Sequence, residues 1–235
     1  MEEFYKNITA RIKNMVSNNR RPDWEGFRDE FCREVKNCLS GGSSFVFTHK
    51  IDDFPENYQY YHIVNIALIS ARIAKELGFA DTQECNLLTM CIFHNREIFK
   101  LPDDFINSLY RDEKEAADII QVADVFDTTI NPPAYRKQAL AWSAPDALEK
   151  IMQINGSVFN PAVVAAFLKA ITVFPVGTKV VLNNDLIGVV KATNRNHFLR
   201  PQIEIISDKS GKQYDQSRVI DLAKEKLLYI KEVLK

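Results

Sequence analysis

The stretch from Ile119 to Thr128 reads IIQVADVFDT and is the most informative segment of this chain. Its apolar residues recur at helical spacing, which predicts an α-helix with one buried face. Two acids, Asp124 and Asp127, interrupt that apolar helix three residues apart, so both project to the same side. An acid on an apolar face is costly unless it finds a partner, so this helix indicates a polar or metal-binding site.

Further apolar patterns of helical period flank this segment on both sides. The range 61–77 is apolar on nearly every side, which predicts a central buried helix that ends at Gly78. Another helix is expected over 81–94, two amphipathic helices within the first 40 residues, and two more helices within 143–171. The chain is therefore predicted to be mainly α-helical.

Near Pro175 the periodicity changes from helical to alternating, which predicts a β-rich region. Short strands are expected over 179–182, 186–190 and 203–206, and a helix over 223–235. We expect this region to be too short for a hydrophobic core independent of the helices.

The composition is that of an ordinary globular protein, with 46% hydrophobic and 26% charged residues. Thirty basic and 31 acidic residues nearly cancel, which gives no clear indication of nucleic-acid binding. No apolar run approaches the ~18–20 residues of a membrane span, and the N-terminal sequence lacks the apolar segment of a secretory signal. We therefore expect a cytoplasmic protein with no membrane partner. In such a protein the cysteines are expected to be reduced, half-buried thiols: Cys32, Cys38, Cys85 and Cys91.

Only four histidines are present, which limits any site built from imidazole ligands. His62 lies early in the predicted buried helix, and His94 lies at the end of the helix that follows it. His49 has no evident partner. His197 lies near three basic residues around a predicted hairpin: Lys191, Arg195 and Arg200. Together they could form a basic rim for nucleic acid or nucleotide, although basic residues at a turn are usually only solvated.

Several segments resemble, in the same order, the HD-GYP subgroup of the HD-domain metal-dependent phosphohydrolases. YHIVNIA at 61–67 resembles the helix that carries the family's first ligand histidine. IFHNREI at 92–98 stands where the family has its His-Asp doublet, and 119–128 resembles a family helix with the same VADVFD sequence. Further similar segments extend the resemblance from about residue 45 to the C-terminus: 133–137, 143–148, 159–164 and 174–201.

The resemblance implies an HD-type helical bundle and a metal centre for phosphodiester hydrolysis. The positions that match family ligands are His62, His94 and Asp124, with Asn95 beside them. Two histidines and one carboxylate can hold a single Fe, Mn or Zn ion. Our first expectation, however, is that no cofactor binds and that the histidines form hydrogen bonds with Asp124 or the backbone. Asp127 is expected to be a helix-surface or cap-forming acid.

Departures from the family pattern predict a loss of catalysis. Asn95 replaces the acid of the doublet, so this position brings no negative charge to a metal. Ile98 stands where the family has a lysine, and the chain has neither a Gly-Tyr-Pro sequence nor a histidine between His94 and His197. No catalytic residue is therefore assigned, and the residues that would bind a substrate are unknown.

We therefore predict a mainly α fold, an HD-domain-like helical bundle with a small β-rich C-terminal region. The expected division is an N-terminal helical pair at 1–44, a shortened HD-GYP-like domain at 45–173 and the β-rich region at 174–235. A flexible linker is expected from Ser40 to Ser44.

The predicted function is that of a catalytically degenerate, non-enzymatic regulatory or scaffolding element in bacterial signalling. It would act through a protein partner or self-association, which a polar substitution at Trp24 or Phe31 would test. The alternative is a residual single-metal phosphohydrolase that acts on a phosphodiester such as cyclic di-GMP. Binding of a cyclic dinucleotide without cleavage is a third option that no feature of the sequence supports directly.

Overall fold

The computed structural model describes most of the chain, namely residues 2–17, 24–40, 54–99, 103–133, 142, 144–154, 156, 158–171, 174, 176–194, 197, 199–210 and 213–234. The helices in these ranges are α1 (Glu2–Ser17), α2 (Trp24–Ser40), α3 (Phe54–Leu77), α4 (Asp81–Phe93), α5 (Arg96–Phe99), α6 (Asp103–Leu109), α7 (Lys114–Ile130), α8 (Ala144–Gln153) and α9 (Pro161–Ala170). The strands are β1 (Lys179–Leu182), β2 (Leu186–Ala192), β3 (Gln202–Asp208), β4 (Gln213–Asp221) and β5 (Ile230–Leu234). The predicted mainly α fold with a β-rich C-terminal region is confirmed.

The chain divides into two compact units, Met1–Ala170 and Ile171–Lys235. The first contains the described helices and the second the described strands. None of these helices combines the length and the apolar character that a membrane span requires. The expected boundary between residues 44 and 45 lies outside the described residues and stays a prediction. Two other sequence features also lie outside them, namely the linker segment 41–44 and His49.

α3 is the central helix of the first unit and packs against α1, α2, α4, α7 and α9. Every residue from Tyr60 to Ala71 is buried, as expected for a helix that is apolar on nearly every side. At its C-terminal end Gly78 adopts a left-handed backbone conformation with φ of 78°. The Phe79 amide then donates to the Ala74 carbonyl at 3.0 Å, which is the glycine cap that the sequence predicted.

The two N-terminal helices bury their apolar faces within this same unit. α1 packs on α3, while α2 packs on α3 and α4. Arg11 of α1 pairs with Glu34 of α2 at 2.8 Å. Phe31 of α2 is only 1% exposed, so a polar residue there would disturb packing before it could report on a partner. The side chain of Trp24 lies outside the described part of the chain.

The second unit contains an antiparallel sheet with the strand order β4-β3-β2-β1-β5. Buried apolar side chains lie on β1, β2, β3 and β4: Val180, Val181, Leu182, Val190, Ile203, Ile205 and Ile220. The three strands expected from alternating patterns correspond to β1, β2 and β3.

The helix predicted over 223–235 is wrong, because β5 pairs there with β1. Apolar residues at 227, 230 and 233 fit a helical stripe, but Leu227 is 88% exposed, so no buried helical face exists. The edge of β1 offers backbone donors and acceptors to β5, a partner that local periodicity cannot show. β4 was not predicted either, because its polar sequence QYDQSRVID has no regular apolar alternation.

Candidate metal centre

Three side chains from separate parts of the first unit converge on one point. They are His62 of α3, His94 directly after α4, and Asp124 of α7, and their ligand atoms all lie within 4.8 Å of one another. Nε2 of His62 lies 3.2 Å from Oδ1 of Asp124, and Nε2 of His94 lies 3.8 Å from the same oxygen. Both imidazole rings therefore present a nitrogen to one carboxylate oxygen.

The helices set the position and the exposure of these three side chains. His62 is 6% exposed because α3 runs through the middle of the bundle. His94 is the C-terminal cap residue of α4 and keeps a helical backbone. The side chains of His94 and Asp124 are 28% and 32% exposed. The cluster is therefore closed on the His62 side and open to solvent on the other.

Asp127 holds His62 from the opposite edge of its ring. Its Oδ2 lies 2.6 Å from Nδ1 of His62, and its Oδ1 accepts hydrogen bonds from Asn65 at 2.7 Å and Asn131 at 2.8 Å. Because a carboxylate can only accept, the Nδ1 atom of His62 carries the hydrogen of this bond. The Nε2 atom is thereby directed towards Asp124, which is the arrangement found when a carboxylate orients a metal-binding histidine.

The hydrogen-bond network continues from Asn65 to the N-terminal helix. The hydroxyl group of Tyr5 in α1 donates to Oδ1 of Asn65 at 2.7 Å. Tyr5 and Asn65 are both fully buried. A continuous chain of buried polar groups therefore links α1 to the ring of His62.

The expectation that Asp127 is a surface or cap-forming acid is wrong, because its side chain is 0% exposed. A sequence signal was present: Asp127 lies four residues after Ala123 and three before Ile130, which are both on the buried face of α7. Asn65 had a similar signal, three residues after His62 in the predicted buried helix. Asn131 had no such signal, because it follows the end of α7.

The two acids control the charge of His62. Burial by itself would lower the pKa of His62, but the hydrogen bonds with Asp124 and Asp127 outweigh burial and raise it to about 9. Burial would likewise raise the pKa of Asp124, yet its hydrogen bonds with His62 and His94 hold it well below the usual range. In the absence of a metal ion, the cluster is thus stabilised as an ion pair.

The donor set fits one divalent cation of the transition series. Ligand atoms about 2.1 Å from a common ion lie roughly 3 to 4 Å apart when they are neighbours in its coordination sphere. The separations of 3.2 and 3.8 Å fall in this range. Two imidazoles and one carboxylate suit Fe, Mn or Zn, and three protein ligands leave further coordination positions for water.

Asn95 does not join the cluster by hydrogen bonding. It follows His94 and is half-buried, and its side chain makes no hydrogen bond to the three candidate ligands within the described part of the chain. Its assignment as a fourth ligand stays a prediction. The side chain of Glu97, another acid near His94, lies outside the described residues.

Two of the basic residues around the C-terminal hairpin, Arg200 and Lys191, make polar contacts within the second unit. Arg200 donates to the carbonyl groups of Leu222 and Leu228, at 3.0 and 3.3 Å, and so fixes the loop before β5. Lys191 pairs with Glu204 of the neighbouring strand at 2.6 Å. His197 is exposed, and Arg195 lies outside the described residues. These positions give no support for a nucleic-acid site.

Comparison with known proteins gives two findings. Residues 179–235 match a family model described as a KOW domain associated with HD domain. A cyclic di-GMP phosphodiesterase of Pseudomonas aeruginosa is 28% identical to this chain over 144 residues, which cover 59% of this chain and 32% of that protein. The chain thus spans about a third of the length of this relative. No solved structure matches the chain. The two matches support a relationship to HD-domain proteins.

Proposed function

We propose that the helical unit binds one divalent metal ion through His62, His94 and Asp124 and that it serves as a non-hydrolytic regulatory element in bacterial signalling. The observation that carries the metal site is the arrangement around His62, in which Asp127 holds Nδ1 while Nε2 faces Asp124 at 3.2 Å. A buried histidine with its two ring nitrogens assigned in this way is prepared for a ligand role.

The regulatory role follows from what the chain lacks around that site. In the HD family the bound metals supply an activated water and neutralise the phosphate charge. Here Asn95 replaces a carboxylate, and Ile98 occupies the place of a cation. The resemblance to a cyclic di-GMP phosphodiesterase supports the signalling context, but it covers only 32% of that protein.

A second candidate is a residual single-metal phosphohydrolase that acts on a phosphodiester. The partial exposure of His94 and Asp124, 28% and 32%, favours it, because solvent reaches the same side of the cluster that a substrate would approach. This candidate requires turnover that depends on both side chains.

The deciding experiment measures the metal content of protein purified without oxygen, for the wild type and for His94→Ala. We expect about one equivalent of iron, manganese or zinc in the wild type and its loss in the variant. His197→Ala is the matched control, since His197 is an exposed histidine of the second unit and should leave the metal content unchanged. No metal in the wild type, or equal amounts in all three proteins, would contradict the proposed site.

Turnover separates the two functions once the metal is established. The metal-loaded wild type is incubated with cyclic di-GMP and with a simple aryl phosphodiester. The regulatory proposal predicts no product above that of Asp124→Ala. Metal-dependent product from the wild type alone would replace it with the hydrolytic candidate.

A regulatory element needs a partner, which we propose to be another protein or a second copy of this chain. Phe31 is buried, so we propose the partner-binding surface in the second unit instead. Leu227 and Tyr229, which are 88% and 54% exposed, lie close together in sequence before β5. Sedimentation of the wild type beside Leu227→Ser tests self-association. An equal single-chain mass for both proteins would count against it.

A further inference from the structure

A second pair of reactive side chains lies apart from the candidate metal centre, between α2 and α4. The free thiols of Cys32 and Cys85 bring their sulfur atoms within 2.7 Å of each other. They are 53 residues apart in sequence, so tertiary packing alone brings them together. Neither residue takes part in the network around His62.

Polar contacts beside the thiols also join the two helices. Lys36, one turn after Cys32, pairs with Asp81 at 3.1 Å and with Glu84 at 3.4 Å. The Cys32 thiol also donates a long hydrogen bond to the Cys85 carbonyl, at 3.7 Å. A disulfide bond is about 2.05 Å long, so bond formation requires the sulfur atoms to move by less than about 1 Å.

Small molecules can reach this pair through a cleft. A cavity of about 350 Å³ opens beside the thiols. It is lined by Asp29, Cys32, Arg33, Lys36, Asn37 and Cys85. Cys85 is half-buried, whereas Cys32 is only 5% exposed. Burial, together with the hydrogen bond from Cys85, raises the pKa of the Cys32 thiol. Cys85 is therefore the more accessible nucleophile of the two.

We propose that Cys32 and Cys85 form a reversible disulfide that clamps α2 to α4, with a low-molecular-weight disulfide as oxidant. The Cys85 thiolate attacks the oxidant and releases one small thiol, which leaves a mixed disulfide at Cys85. The Cys32 thiol then loses its proton, attacks the Cys85 sulfur and releases the second small thiol. Two protein thiols are oxidised and one small disulfide is reduced to two thiols.

The clamp acts on the N-terminal helical pair and does not depend on metal binding. Cys32 belongs to α2 and Cys85 to α4, so a covalent bond between them adds a direct tie between the N-terminal helical pair and the rest of the unit. α4 leads directly into His94. Oxidation is thus expected to rigidify the attachment of the N-terminal helices without touching the ligand side chains.

The test equilibrates the metal-free protein with glutathione buffers of graded redox ratio, followed by acid quenching, alkylation and peptide mass spectrometry. We expect a single linkage between the Cys32 and Cys85 peptides and the loss of two hydrogen atoms per chain. In native buffer the disulfide should be half-formed under conditions at least about tenfold more reducing than those at which it is half-formed in 8 M urea. The reason is that the fold raises the effective concentration of the two thiols. The oxidised protein should melt about 5–10 °C higher than the reduced protein.

Two variants complete the test. Cys38→Ser, on the same helix, should show the same half-oxidation point as the wild type and the same difference in melting temperature between its oxidised and reduced forms. Cys32→Ser should stop at glutathione attached to Cys85, with circular dichroism as the check that it folds. Thiols that stay reduced throughout the series, a stable glutathione adduct in the wild type, or the same half-oxidation point in native buffer and in urea would each overturn the proposal. The redox titration of the wild type tests the proposed disulfide even if Cys32→Ser does not fold.

Discussion

Asp127 is the residue that most directly sets the orientation of His62. Its two oxygens accept three buried hydrogen bonds, one from His62 and two from the amides of Asn65 and Asn131. A carboxylate in this buried position is tolerated because both of its oxygens accept hydrogen bonds. Removing it would take this acceptor away from three buried donors.

We therefore expect Asp127→Ala to lower the free energy of unfolding by about 3–5 kcal/mol, as for the loss of one partner of a buried ionic network. Metal affinity should fall by about 10–100-fold, because the ring of His62 loses its orienting bond. Urea titration and metal titration measure the two effects. Glu115→Ala, at an exposed acid of the same helix, is the control and should change neither. A stable Asp127→Ala protein with full metal affinity would contradict this role.

The pH dependence of the metal-free protein follows from His62. Its pKa is raised from 6.5 to about 9 in the folded protein, so its stabilising contribution is complete below pH 6.5 and is lost as the pH rises through 9. The full shift corresponds to at most about 3 kcal/mol. Asp124, with a lowered pKa, contributes in the opposite sense and loses its effect only as the solution becomes strongly acidic.

Urea unfolding in the presence of a chelator, at pH 6 and at pH 9.5, checks this expectation. The wild type should be less stable at the higher pH. His62→Gln, which keeps a hydrogen-bonding side chain but does not titrate, should lose most of that difference. An equal pH dependence in both proteins would assign the effect to other groups.

At the scale of elements, α1 is tied to the candidate centre although it contributes no ligand. The hydroxyl group of Tyr5 on α1 donates to Asn65, which in turn donates to Asp127. The ring of Tyr5 also contacts that of Tyr61, with centroids 6.1 Å apart. The helix thus supports the network both by packing and by a hydrogen bond.

Tyr5→Phe keeps the packing and removes the hydrogen bond. We expect a loss of about 1–3 kcal/mol in the free energy of unfolding, because Oδ1 of Asn65 is left buried without this donor. Metal affinity should fall by about three- to tenfold, less than for a direct partner of a ligand. Asn7→Ala, at an exposed position of α1, provides the control in the same two titrations. Unchanged metal affinity in Tyr5→Phe would show that α1 does not influence the centre.

At the scale of the whole molecule, the chain consists of two compact units. Sequence patterns suggested that the C-terminal region is too small to have a core of its own. That expectation rested on the length of the region, and the structure now shows a sheet of five paired strands there. A family model that matches residues 179–235 by themselves also indicates a self-contained domain.

We expect residues 171–235, produced alone, to fold as a β-sheet, because five paired strands with a buried apolar face exceed the minimum for a stable sheet. Dispersed amide resonances in a proton–nitrogen NMR spectrum would be the expected result. Ile205→Ala, at a side chain that is 3% exposed, should collapse that dispersion, whereas Lys209→Ala at an exposed turn should not. An unfolded spectrum for the unaltered fragment would contradict the prediction.

Local patterns in the sequence determined the elements whose stability depends on their own residues. The buried helix α3, its end at Gly78, the apolar face of α7 and the strands β1 to β3 all follow from periodicity and glycine placement. The grouping of His62, His94 and Asp124 came from resemblance to a family, since no spacing in one sequence can show that three helices meet.

Only the tertiary structure decided the contacts between distant residues. Asp127 reaches His62 across 65 residues, and Cys32 reaches Cys85 across 53. β5 became a strand because the edge of β1 was available, although its own spacing favoured a helix. In each case the stabilising contact is made with a partner that is far away in sequence. A periodic pattern indicates which side of a helix or strand is buried, but it does not show which residues pack against that side.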